Sequence, residues 1–212
     1  MSGTHSPDHD HDHDHEHEHD HDASATISNR VKALVATLER KGLVTEAQID
    51  ATVTSFLSGA QPANGFRAVA QAWLDPGFKS RLLADATSAV GELGIDLSHW
   101  APVKIRAVEN TPERHNVIVC TLCSCYPLSL LGPSPSWYKS EAYRSRVVRD
   151  PRGVLAEFGL QLPAGKEVRV WDSTSELRYI VVPERPAGTA DLSADQLAAL
   201  VTTNGLIGTA LV

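Results

Sequence analysis

The stretch Val119-Cys120-Thr121-Leu122-Cys123-Ser124-Cys125-Tyr126-Pro127 holds all three cysteines of the 212-residue chain, spaced C-x-x-C-x-C. An odd number packed so tightly is not a disulfide framework. A structural zinc site asks for four ligands, usually in two separated pairs, and His115 is the nearby candidate for a fourth. An iron–sulfur cluster asks for four cysteines. Three thiolates fall short of both. C-x-C on a tight turn places the sulfurs of Cys123 and Cys125 one residue apart. The backbone amides of Ser124 and Cys125 then face the same centre. Three sulfurs and two amide nitrogens leave one open position on an octahedral ion. Removing a proton from a backbone amide demands a strongly Lewis-acidic metal, so a trivalent ion is implied.

Around this stretch the chain is rich in β-branched residues. Residues 103–108, 117–120, 168–171 and 179–182 read as strands. Pro151, Leu155, Phe158 and Gly159 outline a short helix, with Pro151 in its first turn. Ser193 with Gln196 caps another helix through Val201, and a last short strand is expected near Ile207. Upstream the period changes to that of helices. Val31, Leu34, Val35 and Leu38 follow i, i+3, i+4, i+7, and Gly42 stops the run. Thr45 and Gln48 form a capping box ahead of Ile49, Val53, Phe56 and Leu57. Residues 61–65 read as a break, followed by helical stretches over residues 66–73 and 78–90. The expected fold class is α+β: a helical N-terminal lobe over residues 25–98, then an α/β-layered C-terminal lobe over residues 99–212 that carries the cysteines. Residues 1–24 are expected to be a disordered tail.

That tail dominates the charge. Residues 9–22 read HDHDHDHEHEHDHD, and the first 22 residues hold eight acids and eight of the ten histidines but no Lys or Arg. A segment without apolar residues cannot offset its ordering entropy by burial. Its imidazoles suit cobalt, nickel, copper or zinc, with a solubilising role as the plainer alternative. The chain as a whole has 26 acids and 19 bases, so the body beyond the tail has 18 acids against 19 bases. A body so close to neutral argues against a nucleic-acid binder. With 42% hydrophobic residues the chain can bury one substantial core or two modest lobes. It has no apolar run near the ~20 residues of a membrane span. No secretory leader is visible, so the cytoplasm is the expected compartment.

The cysteine stretch resembles the metal claw of nitrile hydratase α subunits and of the related thiocyanate hydrolase γ subunit. The resemblance runs over roughly residues 30–210. It includes Trp73 with Asp75-Pro76, the run from Lys79 to Asp85, Glu109-Asn110-Thr111 and His115-Asn116-Val117. It continues through Trp137-Tyr138-Lys139-Ser140, the basic run from Tyr143 to Arg149, Pro151-Arg152, Val170-Trp171-Asp172-Ser173, Glu176, Arg178, and the residues from Pro183 to Gly188.

By that resemblance Cys120, Cys123 and Cys125 supply sulfur to the metal, and Ser124 and Cys125 supply amide nitrogen. Cys123 is expected as a sulfinate and Cys125 as a sulfenate, their oxygens met by arginines of a β-type subunit. Thr121 marks the cobalt class, so one Co(III) per chain is expected, inserted by an activator protein. The implied reaction is hydration of a nitrile to its amide. The ion would polarise the nitrile or acidify water, or the Cys125 sulfenate oxygen would act as nucleophile. Glu176 matches a position behind the metal site, where it would orient water or a partner residue; a surface ion pair is the alternative.

His115 reads as a satisfied structural histidine, and His99 carries no signal. Arg144, Arg146, Arg149 and Arg152 read as ion-pairing residues. Trp137 lies near enough in sequence to line a pocket. Leu128-Ser129 stands where the family usually carries Trp-Pro. This points to a roomier pocket, for a bulky or heteroaromatic nitrile. Leu128 also offers no charge to an anion, which weighs against thiocyanate. Two rivals stay open: a thiocyanate hydrolase γ subunit, releasing carbonyl sulfide and ammonia, and a cobalt storage or delivery protein.

Overall fold

The computed structural model describes residues 15–98 and 103–212, with side chains from residue 26 onward. The expected tail therefore lies outside the described residues, apart from the backbone that α1 (His15–Arg40) takes up from His15. His99 lies outside them too. By packing, the described residues fall into two compact units, one up to Thr54 and one from Ser55 onward.

The first unit holds α1 and most of α2 (Glu46–Ser58). The predicted capping box is formed: Gln48 N donates to Thr45 Oγ1 at 3.2 Å, and Thr45 N donates to Gln48 Oε1 at 2.9 Å.

The second unit opens with α3 (Pro62–Leu74), α4 (Pro76–Ala84) and α5 (Ala86–Gly91). Two expectations need correcting here. The break over residues 61–65 is not there. Gln61 is the cap and Pro62 starts α3, since a proline's missing N–H costs nothing in a first turn. Gly65 serves packing instead. A Cβ there would come within 2.6 Å of the Leu130 carbonyl oxygen. The stretch 78–90 is two helices, because Asp85 ends α4 and caps α5 by accepting from Ser88 N.

The strands are β1 (Lys104–Glu109), β2 (Arg114–Val119), β3 (Glu167–Asp172) and β4 (Leu177–Val182). Each overlaps its predicted stretch. They pair as two parallel two-stranded sheets, β1 with β4 and β2 with β3. In register, Ile105 lies beside Arg178, and Val119 beside Asp172. From His115 to Val119, β2 is buried at every position, as parallel strands covered on both faces are.

Between β2 and β3 come α6 (Leu128–Leu131), a 3-10 turn (Ser136–Lys139), α7 (Glu141–Arg146) and α8 (Pro151–Glu157). Two short helices close the chain, α9 (Ala194–Leu200) and α10 (Thr203–Ile207). The capping box of Ser193 and Gln196 is present at α9. The strand expected near Ile207 is instead α10. Thr202 caps it by accepting from Gly205 N, and Gly208 ends it in the left-handed region. These caps override the β-branched side chains of the segment.

Gly208 has φ +90°, and a Cβ there would fall 2.0 Å from the Asn116 carbonyl oxygen. Only glycine lets the end of α10 press onto β2. Its carbonyl accepts a hydrogen bond from His115 Nε2 at 2.7 Å. The His115 Nδ1 then accepts from Asn110 Nδ2 at 3.3 Å. His115 is thus a fully buried, neutral imidazole tying β2 to the C-terminal segment. Asn116 completes the network, donating to the Glu109 carbonyl and accepting from Trp171 Nε1.

Candidate metal centre

The cysteine loop starts where β2 ends. Cys120 is buried, Cys125 is half-buried and Cys123 is exposed. The Cys123 sulfur lies 3.3 Å from that of Cys120 and 3.1 Å from that of Cys125. All three sulfurs fall within 4.8 Å of one another. They are gathered but not bonded, since a disulfide would need about 2.05 Å. Among the described residues this is the one cluster of metal-ligating side chains. His115 does not join it, its ring nitrogens being engaged elsewhere.

The loop is held by side chains from three other elements. Asp172, at the end of β3, accepts from Thr121 N at 3.0 Å and from Thr121 Oγ1 at 2.5 Å. Tyr138, in the 3-10 turn, donates from its hydroxyl to the Cys125 carbonyl at 3.0 Å. Arg144, on α7, donates to the Thr121 carbonyl at 3.0 Å. Behind them Tyr143 donates to the Ile118 carbonyl at 2.7 Å. Loop and aromatic layer are joined by ring contacts, with the Tyr126 and Tyr138 centroids 4.9 Å apart.

Electrostatics within the cluster are uneven. Hydrogen bonding from the Cys125 thiol and then from Cys120 holds the Cys123 thiol down to about 7, and the amides of Cys125 and Ser124 add to that pull. Burial pushes the Cys125 thiol up to about 12, against the opposing charge of Arg178. The Cys123 sulfur thus sits between the other two thiols and the loop amides.

A cavity of about 350 Å³ opens beside the loop. Cys123, Ser124 and Cys125 form one wall. Leu97, Val103, Ile105 and Leu128 supply apolar surface, and Lys139 and Arg178 supply positive charge. Two polar atoms here are buried without a partner, Arg178 Nη1 and the Tyr126 hydroxyl. Burial alone holds the Tyr126 phenol un-ionised well beyond its ordinary range.

The sequence-predicted residues divide. Cys120, Cys123, Ser124 and Cys125 come together. Leu128 and Ser129 line the cavity. Trp137 does not line it and packs instead against Tyr143 and Phe158, with centroids 4.9 and 4.6 Å away. Arg146 pairs with Glu157, and Arg152 donates to the carbonyls of Leu162, Pro163 and Ala164. Glu176 is exposed in the turn between β3 and β4 and is not among the cavity's lining residues. Sequence reasoning gave no separate role to Asp172, Tyr138, Lys139 or Arg178. The signal for Asp172 and Arg178 was the register of β2 against β3 and of β1 against β4, which joins residues some fifty to seventy positions apart; Tyr138 and Lys139 are brought in by the 3-10 turn.

Among the described residues, no helix is long and apolar enough to cross a membrane. Known proteins resemble this chain over most of its length. The profile of the family described as "Nitrile hydratase, alpha chain" matches residues 25–210. The low-molecular-weight cobalt-containing nitrile hydratase subunit alpha of Rhodococcus rhodochrous is 51% identical over 182 residues, covering 86% of this chain and 87% of that one. The thiocyanate hydrolase subunit gamma of Thiobacillus thioparus is 46% identical over 159 residues, covering 71% of this chain and 65% of the relative. Among solved structures, a double mutant of the Fe-type nitrile hydratase from Comamonas testosteroni Ni1 superposes with TM-score 0.82 at 43% identity, covering 88% of this chain and 90% of that one. With the gathered sulfurs, the cavity beside them and this extent of similarity, the chain belongs to the nitrile hydratase alpha-chain family.

Proposed function

We propose that this chain is the metal-bearing catalytic subunit of a cobalt nitrile hydratase, converting a nitrile to its amide together with a β-type partner chain. The observation that carries the reading is the cluster of three sulfurs within 4.8 Å at the mouth of a mixed apolar and cationic cavity. The donor set fits cobalt. Backbone amides bind as ligands only when a strongly Lewis-acidic ion displaces their proton, which points to a trivalent ion, and Thr121 and the cobalt-containing relatives favour cobalt. Cys120, Cys123 and Cys125 would hold the ion by sulfur, with the amides of Ser124 and Cys125. Bound there, Co(III) would supply Lewis acidity towards the nitrile or towards water.

The chain's own residues prepare the reaction. Asp172, Tyr138 and Arg144 fix the loop, so little reorganisation remains when substrate arrives. Leu97, Val103, Ile105 and Leu128 exclude water and receive the organic part of the nitrile. With Leu128 and Ser129 in place of larger groups, that part is bulky or heteroaromatic. Arg178 favours negative charge at Cys125, which a sulfenate there would carry, with Cys123 as the sulfinate. Arginines of the partner would meet the remaining oxygens.

The test is the complex co-expressed with its partner and activator proteins in cobalt medium. Expected are one cobalt per chain, three added oxygens across Cys123 and Cys125 by peptide mass spectrometry, and amide production. In Cys125→Ala the visible thiolate-to-metal charge-transfer band should vanish with the activity. An unchanged spectrum, or zinc in place of cobalt, would overturn the reading. A second reading, thiocyanate hydrolysis, is favoured by the two cations Lys139 and Arg178 on the cavity wall. Turnover of thiocyanate but of no nitrile would select it.

A further inference from the structure

The first unit carries no part of the cysteine centre, and none of its described side chains, from Thr26 to Thr54, is buried. Val35, Leu38, Val44 and Ile49 are half-buried and are its best-covered apolar residues. A helix pair without buried side chains has no core to offset the entropy of ordering it. In proteins most helical stability comes instead from packing an apolar face against something else. Such a face is present. Ile27, Val31 and Leu34 follow i, i+4, i+7 along α1 and stay 61, 54 and 57% exposed. Arg30 lies in the same row, four residues before Leu34. It is exposed and has no ion-pair partner among the described residues. Apolar side chains with an arginine among them, and no Lys, Asp or Glu, suit the buried part of a protein interface. The family profile starts at residue 25, just ahead of this face, and leaves residues 1–24 outside. The face therefore belongs to what the chain shares with its relatives, and those compared above are each named as one subunit of an enzyme.

We propose that the row of Ile27, Arg30, Val31 and Leu34 on α1 is a docking face for the β-type partner chain. The partner would meet it with an apolar groove and a carboxylate opposite Arg30. This docking face rests on the assembly proposed above and not on the chemistry at the cysteines.

The test combines Ile27→Gln, Val31→Gln and Leu34→Gln in the full chain, glutamine being at least as good a helix former as the residues it replaces. Titrated with the purified partner chain, the triple variant should bind at least ~10-fold more weakly. The unfolding midpoint of the chain alone should stay unchanged, because the three side chains are exposed before assembly. Arg30→Glu should weaken binding at least ~3-fold at low salt, with the difference shrinking as salt is raised. In the unaltered chain, hydrogen exchange of the amides over residues 31–38 should slow at least ~10-fold when the partner is added. Unchanged affinity of the triple variant, or unchanged exchange, would overturn the docking face. Sedimentation showing that the chain without its partner self-associates through these residues would overturn it as well, since the occupant would be a second copy. Cobalt content read on the same complexes separates this proposal from the catalytic one. Full cobalt with unaltered affinity removes the docking face alone. Weakened affinity in complexes that hold no cobalt supports the face and removes the cobalt reading.

Discussion

Strand β2 and the loop that follows it are continuous in sequence and opposite in physical state. In β2 the polar groups are buried and matched, with His115 bonded at both ring nitrogens and Asn116 saturated by Asn110, Glu109 and Trp171. A few residues later, Leu122 is 87% exposed and Cys123 is open to solvent. Beside them Arg178 Nη1 and the Tyr126 hydroxyl are buried with no partner. Folded proteins seldom leave such groups unmatched. The strand is finished by folding alone. The loop and the neighbouring β4 keep donors unmatched, and both of those residues line the cavity beside the cysteines.

The most disruptive way to break this comparison is at the scaffold. Gly208→Ala drives a Cβ to within 2.0 Å of the Asn116 carbonyl, at a backbone angle that side chains disfavour. We expect a loss of at least ~3 kcal/mol of stability, read by urea unfolding, or no soluble protein. A variant with unaltered stability would mean that β2 does not depend on the C-terminal segment pressed against it.

Asp172→Asn acts on the loop instead. Asp172 is exposed, so stability should change by less than ~1 kcal/mol. The paired acceptance from Thr121 N and Oγ1 would be lost in part. Residues that orient metal ligands typically cost ~10–100-fold when changed. Cobalt retention against a chelator and turnover should fall by that factor together. A fall in stability without loss of cobalt would assign Asp172 to the scaffold.

Titration separates the two regions further. Burial holds His115 below its ordinary value of 6.5, outweighing the hydrogen bond to Gly208. Below about pH 6.5 the unfolded chain takes up a proton that the folded chain refuses. The contribution is therefore complete above about pH 6.5 and declines as the pH falls towards the lowered folded value. His115→Gln should be less stable at pH 8 but lose stability less steeply below about pH 6.5. Urea midpoints measured across that range check it, and parallel slopes for the two proteins would contradict it.

The same contrast explains what the sequence made legible. The spacing of Cys120, Cys123 and Cys125 is local, so the candidate ligands could be read directly. The four strands were also visible, because β-branched runs such as Val117-Ile118-Val119 are local too. Asp172 was invisible as a loop anchor, since only the parallel register of β2 and β3 brings it to Thr121. Caps also went unseen where propensity pointed elsewhere. Thr202 and Gly208 impose α10 on a segment whose Thr and Ile favour a strand. Pro62 starts a helix that runs on through Asn64 and Gly65, two poor helix formers.

Glu176 supplies the smallest expected effect and the sharpest use of the comparison. The resemblance sets it behind the metal site, and its carboxylate stands exposed in the turn between β3 and β4. Its firm ties are made by the backbone, the carbonyl accepting from Lys104 N at 2.8 Å and the amide donating to Thr174 Oγ1 at 3.3 Å. Neither tie needs the side chain, so Glu176→Gln should leave stability and the cobalt charge-transfer band of this chain unchanged. On the proposed function, the exposed carboxylate would act on the reaction through a group that the partner subunit brings to it. Turnover of the assembled complex should then fall by no more than about tenfold, the lower end of what positioning residues cost. A loss of several hundredfold with the spectrum intact would move Glu176 into contact with the reacting groups and enlarge the unfinished region to include the β3–β4 turn.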